Sequence, residues 1–142
     1  MDQIDHVEVF VPDRREAADW YHRVLGCEII PEYAEWSDDP RGPLMISPDG
    51  GATKLALFRG EPQGARPTAG FHLVAFRVDG PAFMEFLARA SELGLKDVRG
   101  EPLTQESGVD HGKAYSVYFT DPYGHRLEVT SYQHEAIRQA LK

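Results

Sequence analysis

The chain has 142 residues, enough for one domain of ordinary size or two very small units sharing a core. At 42% hydrophobic and 27% charged residues it reads as a globular protein, and no apolar run approaches the roughly 18 residues of a membrane helix. Fifteen basic against 23 acidic residues, a formal charge of -8, argue against a nucleic-acid partner and leave a small-molecule partner open.

The N-terminus, "MDQIDHVEVF", lacks the basic start and apolar stretch of a signal peptide, so the expected compartment is the cytoplasm, without a membrane partner. A first strand, "HVEVFVPD" (residues 6–13), alternates: Asp5, Val7, Val9 and Val11 share one face, the valines toward a helix, and Ile4, His6, Glu8 and Phe10 take the other. A helix follows in "REAADWYHRVLG", with Ala17, Tyr21, Val24 and Leu25 on one side and Leu-Gly as its stop. The lone Cys27 has no disulfide partner and reads as a small packing residue. Strand-like pieces continue in "CEIIPEYAEW", "PLMIS" and "TKLALF". Gly- and Pro-rich "RGEPQGARPTAG" then reads as a linker, about 61–69.

The pattern then repeats, roughly 66 residues on. "HLVAFRVD" (72–79) matches "HVEVFVPD" in its His, its Phe and its final Asp. It leads into a second helix, "PAFMEFLARASELG", with Phe83, Phe86, Leu87 and Leu93 available for burial. Strand-like "LKDVRGEPL", "AYSVYFT" and "HRLEVTSY" follow, then an amphipathic tail helix (134–142) able to cover a sheet edge. The expectation is α+β: two paired βαβββ modules, about 1–60 and 70–133, making a cupped, mostly antiparallel sheet within a single domain.

Three residues invite a metal. By parity His6 and His72 take the concave face at equivalent places, and Glu128 sits between Leu127 and Val129 on the last strand. Two imidazoles and a carboxylate can hold one face of a divalent ion and leave positions for substrate. The bland alternative also stands: hydrogen-bonded structural histidines, and an acid facing water from an edge strand.

"IDHVEVFVPDRREAADWYHRVLG", "GFHLVAFRVD" and "VYFTDPYGHRLEVTSY" together resemble the vicinal oxygen chelate superfamily, which holds glyoxalase I, extradiol dioxygenases, fosfomycin-resistance thiol transferases and bleomycin-binding proteins. The resemblance implies a divalent metal on His6, His72 and Glu128, with iron(II) favoured over manganese, zinc or nickel, and a homodimer. It also implies a fourth ligand from "TKLALF" in the glyoxalase branch, where Lys54 or Leu55 is unsuitable. "VDHGKAYSVYFTDPYGHRLE" is similar to the extradiol signature, in which His111 and Tyr118 would flank the metal as catalytic donors. A further histidine of those enzymes is missing from "TKLALFRG"; Glu8 either takes part of its role or is a solvated rim residue. The expected function is a metal-dependent enzyme on a small oxygen-chelating substrate, favoured as a ring-cleaving dioxygenase. A glyoxalase-like lyase, a fosfomycin-type thiol transferase and a metal-free drug-binding protein are the alternatives.

Overall fold

The structure, a computed structural model, describes residues 4–61 and 73–142, and the chain divides into two compact units, Met1–Gln63 and Gly64–Lys142. The expected linker falls almost wholly outside the described residues.

The first unit runs β1 (His6–Val11), α1 (Arg14–Leu25), β2 (Glu28–Ile29), a 3-10 helix (Pro31–Asp38), β3 (Leu44–Ser47) and β4 (Lys54–Arg59). Its sheet has the order β1-β4-β3-β2, with β4 parallel to β1 and antiparallel to β3. The repeated Asp explains itself here. Asp13 is the N-cap of α1, accepting from the backbone N–H groups of Arg15 (2.9 Å) and Glu16 (3.0 Å). The Leu-Gly stop is also explained: Gly26 takes φ 69°, its N–H reaches His22 O and the Cys27 N–H reaches Tyr21 O, closing the helix. Alternation sends Val7 and Val9, in register with Leu55 and Leu57, to the helix side, where Ala17, Tyr21 and Val24 are buried. His6, Glu8 and Phe10, in register with Lys54, Ala56 and Phe58, take the opposite face. Cys27 is buried and its thiol is pushed up to about 12, chiefly by burial, as a packing residue should be.

The second unit runs β5 (Val74–Arg77), α2 (Gly80–Arg89), a short 3-10 turn (Gln105–Ser107), β6 (Val109–Asp110), β7 (Tyr115–Thr120), β8 (Arg126–Ser131) and α3 (His134–Ala140). Its order, β5-β8-β7-β6, repeats the first, again with a parallel pair, β5 with β8. Asp79 caps α2 through Ala82 N–H (2.9 Å). Phe83 and Phe86 of α2 meet Tyr115 and Phe119 of β7 at ring-centroid distances of 5.7 and 5.4 Å. The fold is therefore α+β, two four-stranded mixed sheets each with its helix.

Three local expectations are corrected. "CEIIPEYAEW" gives only the two-residue β2 before the 3-10 helix, which starts at Pro31, where a ring lacking an N–H suits a first helical turn. "LKDVRGEPL" is a tight turn, not a strand: Asp97 accepts from the N–H groups of Arg99 and Glu101, leaving a single bridge, Lys96 to Pro102. α2 ends at Arg89, short of the Leu93-Gly94 stop. The tail helix packs on α2 and β7, burying Ile137, and its Arg138 pairs with Asp110 of the edge strand β6.

Candidate active site

In the first unit the polar face of the sheet carries a linked cluster. Asp5, just before β1, takes His6 Nδ1–H (2.8 Å) on one oxygen and Lys54 Nζ (2.8 Å) on the other. Parity had sent Asp5 to the valine face; β1 begins only at His6, so alternation does not govern Asp5, and Lys54 draws it to the polar side. The Lys54 side chain is 9% exposed and also donates to Gly51 O (3.3 Å). Its hydrogen bond, followed by that of His6, holds the Asp5 carboxyl below the usual carboxylate range, while Asp5 in turn raises Lys54. With Nδ1–H donated to the Asp5 carboxylate, the neutral tautomer of His6 carries its lone pair on Nε2. Glu8 Oε1 stands 3.6 Å from that nitrogen, too far for a hydrogen bond.

The cluster lines one side of a pocket of about 150 Å³, whose lining also includes Ala56. Its other wall is apolar: Tyr33 and Trp36 from the 3-10 helix, with Pro43, Met45 and Phe58.

In the second unit, β7 and β8 pair so that Tyr118 lies opposite Glu128 and Ser116 opposite Thr130, four side chains on one face. Ser116 Oγ donates to Glu128 Oε1 (2.7 Å) and lies 2.9 Å from Thr130 Oγ1. Tyr118 Oη is 2.8 Å from His111 Nε2; His111 follows β6 in the turn to β7, its backbone N–H on Ala114 O. The Asp-Pro-x-Gly segment sets this up. Asp121, 4% exposed, accepts from Tyr123 N–H (2.9 Å) and His125 N–H (2.8 Å), and Gly124 takes φ 92°. That turn fixes where β8 begins, and hence which of its residues face Tyr118.

The unit thus brings Glu128, Tyr118 and His111 onto one side, while His6 and Glu8 share a face of the other unit. His72 lies outside the described residues. Alternation along "HLVAFRVD" would put Val74 and Phe76 on the concave face, and for these two described residues the structure corrects that. Val74 and Phe76 are in register with buried Leu127 and Val129, on the helix side, and exposed Ala75 is the residue opposite Glu128. Strand register follows the larger apolar side chains, and Val plus Phe outweighs one Ala. Among the described residues no three His, Cys, Asp or Glu side chains gather as a metal site.

The donor chemistry of the two described candidates nonetheless suits a divalent ion. His6 has the carboxylate partner on its second nitrogen that ligating histidines use to fix tautomer and direction. Glu128 is steadied on one oxygen by Ser116, leaving the other free of hydrogen bonds from described residues. Sequence reasoning missed Asp5 and Ser116 as supports. The alternation of "YSVYFT" against "RLEVTS" could have found Ser116, once the turn length was known.

A family model, Glyoxalase/Bleomycin resistance protein/Dioxygenase superfamily, matches residues 3–129. The chain belongs to this superfamily. Solved structures agree on the fold. The oxidase ChaP-H2 is 24% identical, covering 91% of this chain and 92% of its own at a TM-score of 0.63. The fosfomycin resistance protein FosX from Listeria monocytogenes is 16% identical, covering 96% and 98% at 0.67. A glyoxalase/dioxygenase from Nostoc punctiforme is 21% identical, covering 92% and 91% at 0.61. No curated protein matches the chain.

Proposed function

We propose that this superfamily member is a divalent-metal-dependent enzyme acting on a small molecule that presents adjacent oxygens, with ring cleavage by O₂ as the reaction. His6, His72 and Glu128 are the proposed ligands, contributed by one chain or by two chains of a homodimer. The observation that carries the reading is the hydrogen-bonded His111–Tyr118 pair, with Tyr118 directly opposite Glu128 on adjacent strands. A fosfomycin resistance protein of this fold, FosX of Listeria, is known in complex with Mn(II), which supports a divalent metal in general.

A bound ion of this class supplies Lewis acidity toward the substrate oxygens and, as iron(II), electrons for O₂. The chain's residues do the rest. Ser116 orients the Glu128 carboxylate, and Asp5 fixes the His6 tautomer with Nε2 presented. Tyr118 Oη, beside Glu128, can give a proton to a substrate oxygen and recover one across 2.8 Å from His111 Nε2 when that ring is an imidazolium, which is left as neutral imidazole. Glu8, on the exposed rim near His6, is the proposed second proton carrier.

The test is direct: load the protein with iron(II) without air, add a panel of catechols, then admit oxygen. Oxygen uptake with one substrate is the expected result. No uptake, together with turnover of an epoxide or carbonyl substrate under manganese, would overturn ring cleavage in favour of an oxygen-independent transferase or lyase. The homodimer is tested separately by light scattering at micromolar concentration, where a monomer would refute it.

A further inference from the structure

We infer that the first-unit pocket is a subsite for a single planar aromatic ring, with Trp36 as the residue that selects it. The inference rests on the proposed reading that the substrate is a small oxygen-bearing molecule, and it names that molecule's class. Size comes first. A cavity of about 150 Å³ is the volume that, engineered into another protein's core, accepts benzene. One six-membered ring fills such a space, and a second fused ring would project through the mouth.

Wall chemistry comes second. Tyr33 and Trp36 stack on each other, centroids 4.6 Å apart and planes 24° apart, and Met45 and Phe58 complete an apolar lining. Aromatic faces and a thioether favour a π ring over a saturated one of equal size. Across from them Asp5, His6, Glu8 and Lys54 form a polar end able to meet hydroxyl groups on the ring.

Preorganisation comes third. Trp36 is 46% exposed, unusual for its type, yet the segment that carries it is tied down. The Arg14 guanidinium donates to the carbonyls of Ser37 (2.9 Å), Asp39 (3.2 Å) and Gly42, and Arg15 donates to Ser37 Oγ (3.1 Å). Gly42 passes so close to Trp36 that a Cβ there would stand 2.0 Å from the Trp36 carbonyl oxygen. A large exposed aromatic held on a fixed segment beside a ring-sized pocket loses little entropy when it receives a ligand.

The experiment titrates the metal-free, full-length protein with catechol and with cis-cyclohexane-1,2-diol, by calorimetry and by tryptophan fluorescence. Trp20, which is buried, provides the reference signal when Trp36 is replaced. Catechol should bind about 2- to 10-fold more tightly than the saturated diol, the range set by aromatic pairing. Trp36→Ala should erase that preference, Trp36→Phe should restore most of it, and neither should change Mn(II) uptake. Tyr33→Leu, with unchanged thermal stability, should weaken the preference in the same direction. Equal binding of the two diols to the parent protein, or a preference that survives Trp36→Ala, overturns the subsite. Since the ring preference is read without metal or oxygen, it can fail or hold independently of the ring-cleavage test.

Discussion

At the scale of single residues, the chemistry sits in pairs in which one side chain aims another. Asp5 aims His6 and Ser116 aims Glu128, at 2.8 and 2.7 Å. Outer partners of metal ligands typically carry about 10- to 100-fold in metal affinity. Ser116→Ala should therefore weaken Mn(II) binding by that order in calorimetry while leaving the circular dichroism spectrum unchanged. Glu128→Gln, which removes a proposed anionic ligand, should lower affinity further than Ser116→Ala does; if the two are equal, Glu128 is not a ligand. Tyr118→Phe should act differently. It deletes the hydroxyl held by His111 and should cut turnover by about 100- to 10,000-fold with metal content intact. These residues differ in how legible they were. Glu128 stood out because a carboxylate between Leu127 and Val129 is chemically odd. Asp5 did not, because acids before a strand are common and its value lies in reaching Lys54, 49 residues away.

At the scale of elements, turns and caps decide which faces the strands present. Asp121 fixes the entry to β8 with two backbone N–H bonds from a nearly buried position. Asp121→Ala would leave those donors unsatisfied and should cost about 1–3 kcal/mol, seen as a melting temperature lower by several degrees. Another acid tethers the α3 helix. The Arg138 guanidinium beside Asp110 holds that carboxyl down to about 2, against an ordinary 3.8. A depressed carboxyl stabilises the fold fully above its unfolded value and less as pH falls through the folded one. Amide protection of His134–Ala140 should thus persist at pH 4 and fall between about pH 3.8 and 2. Asp110→Asn should remove that step, and a step that survives would assign it to another group. The elements easiest to read were those with local signals, Asp caps and Leu-Gly stops. "LKDVRGEPL" misled because its apolar residues mimic a strand, while the Asp97 side chain claims the N–H groups a strand would need.

At the scale of the whole molecule, the duplication was legible because two His-to-Asp segments match, and each unit folds with the same strand order around a parallel pair. The match was less faithful than it looked. Within β1 of the first copy valines alternate with His6, Glu8 and Phe10, and parity reads correctly from His6 onward. In the second, Val74 and Phe76 take the helix side and shift the frame by one residue. Duplicated segments keep their strand order, but each strand re-chooses its faces by what it can bury. The strand order has a further consequence, for a chain as it is made. β4 and β8 are the last strands of their units in sequence yet lie inside their sheets, β4 between β1 and β3, β8 between β5 and β7. During synthesis β1 therefore has no sheet partner until Arg59 has emerged, and β5 none until Ser131 has. Each unit should thus acquire its sheet abruptly, at the end of its own translation. Ribosome-bound chains halted at His125 should leave β5 open to protease, and chains in which β8 has fully emerged should not.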